Sequence, residues 1–160
     1  MSRNTSTTFR EAVFAQETGE AFIILITIDH DDLAAPIMVC SNSTDVVLAR
    51  NGGETYVAYP FGFALPDDTD EKISSGTIVI DNVSADIGKG IRALTTPPTV
   101  TIEIVLASDV DTIEAVFDNF ELIDVQYDAL TIQGNISIQN FMNEPYPGGI
   151  MGPANFPGLF

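Results

Sequence analysis

Tryptophan is absent from this chain of 160 residues, and there is one histidine and one cysteine. A lone thiol, Cys40, excludes an internal disulfide and any multi-cysteine metal site. Its apolar neighbours Met38 and Val39 predict a core thiol rather than a reactive one. One imidazole leaves nucleophilic triads little material. Basic side chains are scarce as well. Arg3, Arg10, Arg50, Lys72, Lys89 and Arg92 are the only six, against 23 acidic residues, for a net charge of −17. None lies beyond Arg92, where Glu103, Asp109, Asp111, Glu114, Asp118, Glu121, Asp124, Asp128 and Glu144 follow. Without a basic footprint, direct nucleic-acid binding and anionic membrane surfaces are both disfavoured. Long apolar runs are missing too. The longest, Ala21 to Ile28 with Thr27 inside it, is far too short to span a bilayer. The opening MSRNTSTTFREAVF lacks an apolar signal core, so the expectation is a chain made in a cytoplasm, with no membrane insertion of its own.

Hydrophobic residues make up 45% of the chain and charged residues 18%, which predicts one folded domain with a substantial core and a weakly charged surface. Two readings of the acidity stay open. It keeps an otherwise sticky protein soluble, or it forms a surface that repels a polyanion.

The segment Pro145 to Phe160, PYPGGIMGPANFPGLF, holds four prolines and four glycines and no charged side chain. Repeated proline removes backbone donors and fixes φ, so no helix or central strand is expected there. It reads as an extended arm, and the candidate partner-binding residues are Tyr146, Ile150, Met151, Phe156, Leu159 and Phe160. Burying such side chains gains about 1.5–3 kcal/mol each. Ordering each backbone costs about 1–2 kcal/mol. The two totals are comparable, so the arm needs a groove on its own body or on a neighbour.

Periodicity divides the rest, a β-rich body over 1–142 with the arm over 143–160. Thr5 to Glu17 predicts a helix capped by Ser6 or Thr7 and ended by Gly19. Glu20 to Ile28 is apolar on both faces, hence a strand that is central or at a subunit contact. Asp29-His30-Asp31-Asp32 reads as a solvated turn. Short strands follow at Ile37–Cys40 and Asp45–Ala49, then a hairpin turn at Arg50-Asn51-Gly52-Gly53, a return over Thr55–Tyr59, and an extended piece over Phe61–Leu65. Lys72 to Asp81 predicts a strand, Ala85 to Leu94 a second short helix capped by Ser84, and Thr99 to Ala107 a strand. Asp118–Tyr127 and Ala129–Gln139 form a final hairpin about Asp128. In its last strand Ile132, Gly134, Ile136 and Ile138 alternate with Thr131, Gln133, Asn135, Ser137 and Gln139, the pattern of a half-buried antiparallel strand. The fold class is mainly β with minor α: an antiparallel β-sandwich or split barrel, with two short flanking helices and the extended arm.

Chemical motifs are weak throughout. Asp67, Asp68, Asp70 and Glu71 lack the spacing of a dedicated calcium loop, and Asp109-x-Asp111 with Glu114 is no stronger. Paired carboxylates are plentiful, but the aromatic platforms of sugar-cleaving grooves are not. There is no Gly-rich phosphate loop and no dinucleotide fingerprint. No catalytic, cofactor-binding or metal-binding residue is expected.

Four stretches, FREAVFAQETGEAFIILITIDHDDL at 9–33, YVAYPFGFALPDD at 56–68, PPTVTIEIVLASDVDTIE at 97–114 and YDALTIQGNISIQNFMNEPYPGGIMGPANFPGLF at 127–160, carry a resemblance. Together they resemble a family of small tail proteins of tailed bacteriophages, catalogued as a domain of unknown function. The likeness is most specific in the YDALTI strand, the NEPYP that follows and the terminal FPGLF; Val116 to Asn119 departs from the pattern. The resemblance implies a virion structural protein of the distal-tail or tail-tip kind, assembled in the host cytoplasm, with a tail-tube-like fold. Its subunits would join their sheets into a homo-oligomeric ring, a hexamer first and a trimer second, between the tail tube and the hub or baseplate. DNA would pass without specific binding, along possible lumen-facing acids Glu103, Glu121, Asp124 and Asp128. The alternatives are a tip-associated hydrolase of cell wall or capsule, and a tail assembly chaperone.

Overall fold

The computed structural model describes residues 5–64, 75–81, 91–92, 94–128 and 131–138, together with Gly158. The arm, apart from Gly158, and the acidic loop at 67–71 lie outside the described residues. So does most of the expected second helix, of which Ile91 and Arg92 are helical.

Helix α1 (Thr7–Phe14) begins where the sequence predicts, with Ser6 as its cap and Ser6 Oγ accepting from the Phe9 amide at 3.0 Å. It ends earlier, at Phe14, with Ala15 already extended. Ala12 is its one buried residue, and so short a helix has little to hold a further turn.

Nine strands follow: β1 (Phe22–Asp29), β2 (Ile37–Cys40), β3 (Val46–Leu48), β4 (Glu54–Ala58), β5 (Phe61–Ala64), β6 (Ser75–Asp81), β7 (Thr99–Leu106), β8 (Asp109–Tyr127) and β9 (Thr131–Ile138). They form one sheet in the order β3-β4-β2-β1-β7-β8-β9-β6-β5. The expected mainly β body is present. The sheet is mixed rather than wholly antiparallel, because β2 and β4 pair in parallel, and it does not close into a barrel.

Strand β1 is central, and both its faces are buried. Ile26 and Ile28 pair with Ile102 and Val100 of β7 and belong to the larger core, with Val39, Ile78, Ile80, Phe120, Leu122 and Ile136. Ile23 and Leu25 belong to a second core, with Cys40, Val46, Leu48, Tyr56 and Val105. The continuous run IILI is therefore apolar because each face of β1 meets a different core.

Strand β8, of 19 residues, pairs with β7 along its first part and with β9 along its last. The sequence reading began this strand at Asp118 and missed Asp109–Phe117. Asn119 at φ 63° makes a bulge within the continuing strand, as Asp124 does at φ 53°. In β9 the alternation holds as expected, with Ile132, Gly134 and Ile136 buried.

Gly76 marks a close approach and Gly62 does not. A Cβ at Gly76 would overlap the Ala64 carbonyl oxygen and the Ile136 side chain, whereas one at Gly62 would meet open space. Gly76→Ala is expected to destabilise the fold by about 1–3 kcal/mol, since a backbone carbonyl cannot move aside. Gly62→Ala should change stability by no more than about 0.5 kcal/mol. Urea midpoints of the two variants check this.

Candidate functional site

The charged side chains most open to a chemical reading are taken up in three polar contacts. The first involves Arg50, in a 3-10 turn (Arg50–Gly52) between β3 and β4. Its guanidinium forms an ion pair with Glu103 of β7 and donates to the Asp111 carbonyl at 3.3 Å. Its backbone amide donates to Asp111 Oδ1 at 3.0 Å. The β3–β4 hairpin is thereby tied across the smaller core to β7 and the start of β8. Beside it the hydroxyls of Tyr56 and Thr27 share a hydrogen bond of 2.8 Å. Burial pushes the Tyr56 phenol above its ordinary value, the Thr27 bond opposes this, and the Glu103 carboxylate adds to the rise.

The second contact is at Glu114, 3% exposed, whose carboxylate accepts the Ser6 amide at 2.7 Å and the Ser6 hydroxyl at 2.6 Å. A capping box would place Glu or Gln three residues after Ser6. This chain has Phe9 there, and Glu114 supplies the missing acceptor from 108 residues away. Asp109 accepts from the Thr112 hydroxyl at 2.7 Å. The three acids of the Asp109-x-Asp111 and Glu114 group thus hold a turn, a hairpin and a helix respectively. Among the described residues, no group of three or more His, Cys, Asp or Glu could hold a metal ion.

The third contact corrects the expectation of a solvated turn at His30. Its side chain is 10% exposed. Nδ1 accepts the Asp32 amide at 3.0 Å, and Nε2 lies 2.5 Å from Thr96 Oγ1, so the ring joins the β1–β2 turn to the segment before β7. Cys40 is fully buried, as expected, and burial raises its thiol above the ordinary value.

The possible lumen acids do not form one row. Glu103 is half-buried and paired with Arg50. Glu121, half-buried, stands opposite Thr99 on one side and Ser137 on the other. Asp124 is exposed at the second bulge of β8, and Asp128 is exposed just beyond Tyr127, its amide donating to the Thr131 carbonyl at 2.9 Å. Three of the four therefore follow the far end of β8, and Glu103 stands apart. Of the six arm residues, Tyr146, Ile150, Met151, Phe156, Leu159 and Phe160, all lie outside the described residues.

Sequence reasoning missed a set of exposed apolar side chains. On α1 Val13 is 51% and Phe14 85% exposed, and Phe9 meets Phe22 edge-on with ring centroids 5.3 Å apart. Val47 of β3 and Val57 of β4 are exposed as well. A helical stripe in sequence does not reveal whether the body covers it.

Residues 8–149 match the family described as Domain of unknown function (DUF1833). The chain belongs to this family. The family match takes in nearly all of α1, every strand and the first residues of the arm, and stops before Ile150. Among curated proteins none matches significantly.

Two outcomes follow from the Arg50 contact. Arg50→Met leaves Glu103 half-buried and unpaired, and is expected to cost about 3 kcal/mol, with the double variant Arg50→Met, Glu103→Met recovering most of it. Chemical denaturation measures both. Tyr56 titrates higher in the folded chain than in the unfolded one. Its contribution is therefore intact below pH ~10 and lost as the pH rises through the folded value. Tyr56→Phe should flatten the alkaline decline in stability, followed by melts between pH 8 and 11.

Proposed function

We propose that this chain is a non-enzymatic structural protein of a bacteriophage tail, a ring-forming distal-tail or tail-tip component that joins the tube to the hub or baseplate. The observation that carries the reading is the open sheet. Strands β3 and β5 stand at its two ends, and among the described residues each leaves one edge unpaired. An unpaired edge is a template for another strand, and natural monomers blunt such edges by keeping them short or with charge, Pro or bulges. Here the edge strands read VVL and FGFA, with no charge in either. Two different edges on one subunit suit head-to-tail contacts, which close into a ring when the rotation allows. Exposed Val13 and Phe14 on α1 add an apolar surface for a neighbouring subunit or ring.

The reading rests also on the resemblance to phage tail proteins, which runs over the stretch of chain that the family match covers; the family's own description assigns no function. A net charge of −17 suits a channel through which DNA passes without sticking. On this proposal Glu121 and Asp124 are the first candidates for the repulsion, because the charge of Glu103 is balanced by Arg50. The virion is the proposed location, with assembly in the host cytoplasm, and the ring is six-fold first and three-fold second. The arm's six apolar side chains are the proposed anchors on a partner.

Electron microscopy of the purified chain, with mass spectrometry of purified particles, tests the reading. Closed rings and a virion-borne chain are expected. A chain that stays monomeric at every concentration and is absent from particles overturns it. Truncation after Glu144 should leave melting close to full length while abolishing incorporation into tails. Phe156→Ala and Phe160→Ala should each weaken assembly by about 1–3 kcal/mol. A collapse in monomer stability on truncation would instead make the arm a staple of its own subunit.

A further inference from the structure

His30 is the only imidazole in the chain, and its hydrogen bonds fix its protonation state. Nδ1 faces the Asp32 backbone N–H at 3.0 Å, and an N–H can only donate. Nδ1 is therefore the acceptor, and the ring proton sits on Nε2, where it points at Thr96 Oγ1. The ring is neutral in this arrangement. The Asp32 carboxylate waits nearby, with Oδ2 3.8 Å from the same Nδ1, too far for a hydrogen bond. Asp29 is engaged elsewhere, its Oδ1 accepting the His30 amide at 2.9 Å. The adjoining Asp31 is exposed. From the segment before β7 the recorded partner is the Thr96 hydroxyl, and among the described residues Asp32 is the ring's one ion-pair partner.

We propose that His30 is a proton-operated latch in the β1–β2 turn. A proton taken from solvent onto Nδ1 sets two donors, Nδ1–H and the Asp32 amide, against each other. The amide bond breaks, and Nδ1–H turns to the Asp32 carboxylate as an ionic hydrogen bond. The Nε2–H bond to Thr96 exists in both states, so the ring stays anchored to the segment before β7 while the turn around it changes. The rearranged backbone is His30 to Leu33, where the Leu33 amide now donates to the His30 carbonyl at 3.0 Å. The sheet is untouched, because β1 ends at Asp29. Protonation of the ring thus remodels one rim of the body without unfolding it.

The test uses the full chain labelled with ¹⁵N, in which one imidazole gives one unambiguous pair of ring signals. At pH 8 the ring nitrogens should report the Nε2–H tautomer. Between pH 8 and pH 5.5 the Asp32 amide should lose about tenfold or more of its exchange protection, corrected for the intrinsic rate, with the midpoint of the ring titration. Amides of Ile26 and Val100 should keep theirs. In His30→Gln the Asp32 amide should show no transition over the same range, with protected Ile26 and Val100 amides certifying the fold. A ring carrying its proton on Nδ1 at pH 8 overturns the proposal, as does a ring that titrates while Asp32 protection stays constant. If His30→Gln does not fold, the wild-type comparison of ring and amide midpoints decides alone.

Discussion

Two residues, Tyr59 and Pro60, join strands that stand near opposite ends of the sheet. Strand β4 is second from one end and β5 is the other end, yet Ala58 and Phe61 are consecutive but for this link. Three virtual bonds of about 3.8 Å span at most ~11 Å, so the sheet curls enough to bring the end of β4 beside the start of β5, while β3 and β5 each keep one edge unpaired among the described residues. The link is hydrogen-bonded on both sides of the gap. The Tyr59 amide donates to the Cys40 carbonyl of β2 at 3.2 Å, and the Pro60 carbonyl accepts the Asp81 amide of β6 at 3.0 Å. The larger core is then the inside of this curl, which is why it gathers side chains from β2 at one side and β6 at the other. Pro60 suits the switch point, because a residue that changes neighbours has no regular ladder donor to lose.

A curled sheet leaves its outer hairpins to be held by other means, and this chain uses charge. Arg50 pins the β3–β4 hairpin over the smaller core, and Glu114 pins the first turn of α1. Partly buried ion pairs contribute little net stability compared with apolar packing of the same volume, but they fix geometry, since breaking either partner is costly. Arg50 is one of six basic residues, and the structure uses it to neutralise a carboxylate between two strands rather than to face solvent. The result is an even more one-signed outer surface.

The fold was largely legible because its strands carry period-two or two-faced apolar patterns. Eight of the nine strands fall where the sequence places them to within about three residues. What was not legible depends on distance along the chain. The first half of β8 was hidden because Asp109, Asp111 and Glu114 interrupt the apolar rhythm, and Glu114 makes sense only once Ser6 is beside it. The sheet order, with its parallel β2–β4 pair, has no local signal at all. His30 was read as solvated because its neighbours are acidic, although Thr96, which covers it, comes 66 residues later. Tyr59-Pro60 was read as a boundary between two extended pieces, and this much was correct; that the boundary moves the chain from one end of the sheet to the other was not visible.

Cys40 lies beside that boundary, fully buried, its thiol directed at the Tyr56 carbonyl at 3.5 Å and raised by burial above its ordinary value. Thiol reagents attack the thiolate and need access, so the folded chain presents them with nothing. As the chain's single cysteine, it makes the protein its own clock for local opening. The rate at which a small disulfide reagent marks it measures how often β2 parts from β4, free of background from any other site.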